Sequence, residues 1–255
     1  MLDGKVGLIC NVANQRSSAW AIAQACQRAG ATIAVGYRGE RELEQLQKLL
    51  PELAEEPLVL PVDVTSDEQL AALPTALGEA FGRVDFLVHA LAFAKMEDLR
   101  GRFVDTSRDG FAVAHDVSAY SLTALSRAVE PLMTAGGSVI TLSYLGAVRA
   151  MPNYNVMGVA KASLEASVRY LAADLGPQGI RVNAISAGPM RTLAAAAIGD
   201  FKGMQSRHAE VSPLRHGTTQ EEVAEVTVFL ASEASRGMTG NVLYVDSGYH
   251  ILGAL

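Results

Sequence analysis

Seven short apolar runs, most of them rich in β-branched residues, alternate along the chain with longer segments of helical period. The runs are Lys5–Val12 (KVGLICNV), Ala31–Tyr37 (ATIAVGY), Leu58–Asp63 (LVLPVD), Val84–Leu91 (VDFLVHAL), Ser138–Tyr144 (SVITLSY), Ile180–Ser186 (IRVNAIS) and Val242–Asp246 (VLYVD). Most are continuously apolar rather than alternating, the pattern of strands covered on both faces. Between them the spacing predicts helices at about 19–29, 40–50, 67–81, 107–133, 153–175 and 220–232. Gly30 suits the C-terminal cap of the first helix, and Thr65 or Ser66 the N-terminal cap of the third. Repeated strand–helix–strand units close into a parallel sheet with right-handed crossovers. Residues 1–255 therefore read as a single α/β domain, a Rossmann-type doubly wound parallel sheet of about seven strands with helices on both faces. The expected strand order is 3-2-1-4-5-6-7. Ligands of such sheets bind beyond the carboxyl ends of the strands.

Composition narrows the class. The 255 residues are 49% hydrophobic and 19% charged, ample for one large core and too apolar for disorder. Twenty-one basic against 27 acidic residues give a net charge of −6, which argues against nucleic-acid binding. Cys10 and Cys26 are too few for a disulfide framework or a metal cluster. None of the five His residues stands in a ligand-like spacing, so no metal is expected. No apolar run approaches the roughly 18 residues of a membrane span, and MLDGKVGLIC lacks the layout of a signal peptide. A soluble cytoplasmic enzyme, with neither nucleic acid nor membrane as partner, is the expectation.

The strand ends carry the candidate chemistry. After the first strand, Asn11-Val12-Ala13-Asn14-Gln15-Arg16-Ser17-Ser18-Ala19 stands where a GxGxxG phosphate turn would sit, and that motif is absent. Small residues and side-chain donors replace it, and the next helix still offers free N–H groups to a pyrophosphate. An ordinary strand-to-helix turn fits the loop equally well. The second strand ends at Tyr37-Arg38-Gly39-Glu40-Arg41. Arg here can accept the 2′-phosphate of NADPH, whereas Glu40 and the sparse basic charge favour NADH. Asp63 and Val64 end the third strand, where a carboxylate could hold an adenine amino group or simply cap a turn. Tyr154 and Lys161, seven apart, stand two turns apart on nearly one helical face. A phenol near an ammonium is a ready proton donor, its pKa drawn below about 10 by the cation. A packed Tyr and a surface Lys are the plainer reading.

Three stretches resolve these alternatives: Ala114–Tyr120 (AHDVSAY), Leu142–Met157 (LSYLGAVRAMPNYNVM) and Ala184–Thr192 (AISAGPMRT). With them the whole chain resembles the short-chain dehydrogenase/reductase superfamily, and within it the divergent bacterial enoyl-acyl carrier protein reductases. Ordinary superfamily members carry a Ser and, thirteen residues later, a Tyr-x-x-x-Lys. Here Lys161 is kept, but Met157 stands at that Tyr position and Tyr144 at that Ser position. The enoyl reductase pattern instead has Tyr144 and Tyr154, and this chain has both.

The resemblance implies NADH-dependent reduction of the trans-2 double bond of a fatty acyl thioester on acyl carrier protein, with NADPH as a possible cofactor. Hydride goes to the β-carbon, Tyr154 stabilises the enolate, Lys161 binds the nicotinamide ribose and Tyr144 lines the acyl site, making these three the catalytic candidates. Cofactor contacts fall on Asn11, Ser17, Ser18, Arg38, Asp63, Val64, Leu91, Lys161, Met190, Arg191, Thr192, Leu193 and Ala194. Substrate contacts fall on Ala94, Tyr144 and Tyr154. Many relatives have Gly where this chain has Asn11 and Ala92. His89 and His115 are read as packed structural histidines. A substrate-binding lid is expected at about 192–208, a carrier-protein rim at Lys202, Arg207 and His208, and a homotetramer that buries the apolar C-terminal tail. The competing readings are a carbonyl (3-oxoacyl) reductase of the same superfamily and a non-catalytic nucleotide-sensing homologue.

Overall fold

In the computed structural model, which describes residues 1–192 and 201–253, seven strands form one parallel sheet. They are β1 (Val6–Cys10), β2 (Thr32–Tyr37), β3 (Leu58–Pro61), β4 (Phe86–His89), β5 (Gly137–Ser143), β6 (Ile180–Ala187) and β7 (Val242–Val245). Their order is β3-β2-β1-β4-β5-β6-β7, as the element pattern predicts. Most strands are shorter than the apolar runs because those runs continue into buried loops. Val12, Val62, Val64 and Leu91 are all buried just beyond a strand end.

Around the sheet lie α1 (Ser18–Arg28), α2 (Glu40–Leu49), α3 (Asp67–Phe81), α4 (Met96–Leu99), α5 (Arg108–His115), α6 (Ser121–Val129), α7 (Asn155–Leu175), α8 (Phe201–Val211) and α9 (Gln220–Ala231). Side-chain caps explain several starts: Ser17 accepts from the Trp20 N–H at α1, and Ser66, rather than Thr65, caps α3. At α9, Thr219 and Glu222 form a capping box. Gly30 follows α1 at φ +96°, a conformation L-residues rarely adopt.

One expected helix differs. The 107–133 segment is α5, a π-helical turn at Asp116–Tyr120, α6 and a 3₁₀ turn at Glu130–Leu132. The π turn lies within the AHDVSAY stretch. It presents Ser118, whose hydroxyl accepts from the Phe93 N–H (2.9 Å) and donates to the Phe93 carbonyl (3.0 Å). That clasp fixes the loop after β4.

Alternate strand residues face opposite layers. Leu8, Leu87, Val139 and Val182 pack with residues of α3, α6 and α7, while Ile9, Val88, Ile140 and Ile185 pack with those of α1 and α9. Gly7 admits the Phe86 ring, which a Cβ would meet at 2.1 Å. A smaller cluster joins Ala94, Leu99, Ala114, Tyr154, Val156, Met157 and Ala160. It brings together the loop after β4, α4, α5 and the start of α7.

Candidate active site

β1 lies between β2 and β4, with the β1–β2 connection running to one side and the β3–β4 connection crossing to the other, the switch point at which such sheets open a crevice at the strands' carboxyl ends. The β1–α1 loop at that point is held by its own side chains. Asn14 Oδ1 accepts from the Arg16 N–H (2.8 Å), and Ser17 Oγ donates to the Asn14 carbonyl (2.7 Å). Ser18 opens α1 and is buried. Asn11 Oδ1 is buried and has no hydrogen-bond partner among the described residues. A buried acceptor without a partner at the end of β1 fits an N–H or O–H donor of a polar ligand such as a dinucleotide. Across the crevice, Gln220 Nε2 reaches the Arg16 and Arg191 carbonyls, both at 3.4 Å, and so ties the β1–α1 loop to the segment after β6.

The other expected cofactor residues take distinct positions. Val64, Leu91 and Met190 are buried in the two main cores, which leaves their backbone groups as the atoms open to a ligand. Asp63 Oδ1 accepts from the Thr65 N–H (2.9 Å) and hydroxyl (2.7 Å), a turn-forming role. Arg38 is exposed and pairs with Glu42 of α2 at 3.2 Å. Thr192 donates its N–H to the Met190 carbonyl (2.9 Å) and Arg191 is exposed. Leu193 and Ala194 lie outside the described residues.

On the substrate side, Tyr144 follows β5 and Tyr154 immediately precedes α7. Their rings meet edge-on, with centroids 4.8 Å apart and planes at 70°. Ala94 is buried in the same cluster. The Tyr144 hydroxyl reaches Met204 Sδ of α8 at 3.5 Å, so part of the expected lid touches the site. A narrow cavity of about 10 Å³ lies there, lined by Tyr144, Leu145, Met151, Met204, His208 and Tyr249 among others.

Gly146 makes the tyrosine pair possible. A Cβ at Gly146 would lie 2.5 Å from Tyr154 Cδ1, 2.7 Å from its Cε1 and 3.2 Å from Tyr144 Cδ1. Gly146→Ala should displace the Tyr154 ring and cost about 1–3 kcal/mol of stability. Turnover should fall by roughly 100-fold, since a misplacement of about 1 Å is enough for that. A variant with wild-type turnover and melting temperature would show that the seat is not needed.

The electrostatics correct one expectation. Burial pushes the Tyr154 phenol well above its ordinary range, with Tyr144 and then Glu165 adding to the rise. Lys161 does not enter that balance, so the expected ammonium-lowered phenol is not what the structure holds. Apolar neighbours dominate, and Tyr154 is a neutral O–H donor. Tyr144 is pushed up by burial in the same way. Lys161 is itself buried, donates to the Leu142 carbonyl at 2.6 Å, and is pulled down to about 8 by desolvation.

Three histidines complete the survey. His89 is fully buried between the Thr141 and Ser121 hydroxyls, each at 2.8 Å. Burial, then the Lys161 charge, lowers it to about 3. Its unfolded form charges near pH 6.5, so the stability from neutral burial is present above that pH and is lost as pH falls toward 3. Wild type should lose up to about 1.4 kcal/mol per pH unit more than His89→Gln over this window; parallel stability curves would contradict the reading. His115 differs from expectation: it is half-buried and stacks on Phe111 with centroids 4.1 Å apart. His208 also differs. It is buried against Tyr249, with centroids at 4.7 Å, and burial lowers its pKa, so it adds no cation to a rim. No group of His, Cys, Asp and Glu able to hold a metal ion occurs among the described residues.

Sequence reasoning missed two residues here. Gly146 lies inside the LSYLGAVRAMPNYNVM stretch, but its function depends on a ring eight residues away. Glu165 is buried in the core-facing stripe of α7 and accepts from Ser143 Oγ at 2.5 Å. Its position four residues after Lys161 on an apolar face was the available signal.

The doubly wound sheet, the paired tyrosines and the buried lysine at its carboxyl side are the arrangement of a reductase of the short-chain dehydrogenase/reductase class. The family model for enoyl-(acyl carrier protein) reductase matches residues 12–250. The chain belongs to that family. It is 54% identical to the NADH-dependent enoyl-[acyl-carrier-protein] reductase FabI of Bacillus cereus, over 99% of both chains. The Nostoc enzyme of the same name is also 54% identical, over 99% of this chain and 98% of the relative. Among solved structures, the B. cereus enzyme with NADP⁺ and indole naphthyridinone superposes with a TM-score of 0.97 at 54% identity, covering 99% of each chain. The Anaplasma phagocytophilum enzyme in complex with NAD gives 0.95 at 47% identity, over 99% of this chain and 96% of that one.

Proposed function

We propose that this chain is an NADH-dependent enoyl-acyl carrier protein reductase that saturates the trans-2 double bond of a fatty acyl thioester. The observation that carries this reading is the Tyr144–Tyr154 ring pair together with buried Lys161, tied to the Leu142 carbonyl two residues before Tyr144, with Met157 where a carbonyl-reducing relative has its acid. The B. cereus and Nostoc relatives, named as NADH enzymes, support both reaction and cofactor.

NADH supplies the hydride that the β-carbon receives. As that bond forms, negative charge gathers on the thioester oxygen, and a donor waiting there lowers the barrier. Tyr154 supplies the donor, and a proton from solvent then adds to the α-carbon as the enolate collapses to the saturated thioester. The raised pKa of Tyr154 keeps the proton on the phenol, and Tyr144, packed edge-on, orients the ring. Lys161 binds the nicotinamide ribose while the Leu142 carbonyl fixes its Nζ. Ser17 and Ser18 would hold the pyrophosphate at the start of α1, and the unpaired Asn11 acceptor at the end of β1 would take an N–H or O–H of the cofactor. Arg38, already paired with Glu42, would face the adenosine ribose from the end of β2. Ala94, Tyr144 and Tyr154 bound the acyl group.

The substrate is delivered on acyl carrier protein. Exposed Lys202 and Arg207 are the docking cations, although Arg207 also pairs with Glu210 at 3.2 Å. Residues 193–200 of the expected 192–208 substrate-binding loop lie outside the described residues, and the reach of Met204 to Tyr144 supports that role for the rest. A cytoplasmic homotetramer is supported by analogy within the family and by exposed apolar residues. Val159 and Tyr170 lie along one line of α7, and Ile251 is exposed near the C-terminus. Among the described residues no helix is long and apolar enough to cross a membrane.

The test follows the loss of NADH absorbance, with NADPH run separately, on crotonyl and acetoacetyl thioesters. Oxidation that requires the crotonyl substrate and is faster with NADH is expected. Turnover of acetoacetyl thioester alone would mark a carbonyl reductase, and cofactor binding without any turnover a nucleotide sensor.

A further inference from the structure

α7 turns two ionisable groups toward the core, and the reaction described above uses only one. Its buried stripe runs Met157, Ala160, Lys161, Leu164, Glu165, Val168. Lys161 and Glu165 are therefore neighbours on one face, a turn apart. Each is tied to the end of β5: Lys161 Nζ donates to the Leu142 carbonyl, and Glu165 Oε1 accepts from Ser143 Oγ. Leu142 and Ser143 are consecutive, and the next residue is Tyr144. Two adjacent bonds thus stitch the strand to the helix at the point where the chain departs into the tyrosine pair. A buried carboxylate with one neutral donor is costly unless an opposite charge is near.

We propose that Glu165 is a positioning residue of the reductase site, holding Lys161 as the ammonium by its charge and holding the end of β5, hence Tyr144, through Ser143. The inference rests on the reading that Lys161 binds the cofactor. Lys161 interacts with Glu165 on its own helix and with neutral His89 from β4. Glu165 interacts with Lys161 and Arg169 on α7, Ser143 on β5, Tyr154 at the head of α7 and Tyr244 on β7. Desolvation pulls Lys161 down to about 8, and among the described residues Glu165 is the group that opposes it. Without that carboxylate the ammonium loses its proton at lower pH.

Glu165→Gln keeps the shape and an acceptor for Ser143 and removes the charge. NADH affinity, read by nicotinamide fluorescence between pH 6 and 9.5, should weaken in wild type as pH rises through about 8. In Glu165→Gln the midpoint should fall by about one pH unit or more, with affinity near wild type at pH 6. A midpoint identical to wild type overturns the inference, and so does a loss of affinity that is equal at every pH. Glu165→Asp withdraws the charge by one methylene and should place the midpoint between the two. If the glutamine variant does not fold, an aspartate midpoint equal to wild type overturns the inference instead. A wild type with no midpoint near 8 contradicts the Lys161 reading itself, whereas a midpoint that Glu165→Gln leaves in place contradicts only the role of Glu165.

Discussion

Replacing Tyr154 by Phe lowers kcat by about 100- to 1,000-fold, the cost of removing one donor aimed at a developing oxyanion. The affinity for NADH changes little. The substitution keeps the ring, so the edge contact with Tyr144 and the seat on Gly146 both survive, and only the O–H is lost. Because burial raises the phenol, wild-type kcat shows no Tyr154 ionisation through neutral and mildly alkaline pH. Steady-state kinetics with an enoyl thioester, together with fluorescence titration of NADH, separates the two effects. Unchanged turnover would remove Tyr154 from the enolate role.

Lys161→Ala acts on binding first. A hydrogen bond from a charged group contributes about 1.5–3 kcal/mol, so NADH binds roughly 10- to 100-fold more weakly. The pH dependence changes as well. In wild type the ammonium is present below about 8 and lost above it, so affinity is highest on the acid side of that value. In the variant this slope disappears. The truncation also strips the Leu142 carbonyl of its donor and leaves Glu165 with Arg169 as its one remaining cationic neighbour on α7, so the melting temperature falls too. A dissociation constant equal to wild type across the pH range would refute the ribose contact.

The fold was legible because its determinants are local. Continuous apolar runs, Ser66 and Gly30 at helix ends, and the alternation of strand with helix all follow from short windows of sequence. The resemblance located Tyr144, Tyr154 and Lys161, and the structure brings the two tyrosines into contact. What the sequence did not reveal depends on packing between distant segments. The 107–133 helix contains a π turn that sets Ser118 against the Phe93 backbone, a contact 25 residues away along the chain. The Tyr154 phenol was expected to fall under the influence of Lys161, but seven residues along a helix do not report the apolar cluster that encloses the ring. Sequence position alone makes His208 a surface cation, because spacing does not reveal its stacking on Tyr249. Glu165 escaped notice for the opposite reason: a charged residue on an apolar stripe was visible, but its partner Ser143 comes from another element.

The most direct test of the account is the fate of the hydride. The enzyme is supplied with NADH deuterated on either face of nicotinamide C4 and a trans-2-enoyl thioester, and the saturated product is analysed by mass spectrometry and NMR. The account predicts that one of the two labelled cofactors delivers a single deuterium to the β-carbon. In D₂O with unlabelled NADH, the single deuterium appears at the α-carbon. Cofactor deuterium at the α-carbon, or a product that carries none from either labelled cofactor, would contradict reduction by hydride addition with Tyr154 holding the enolate.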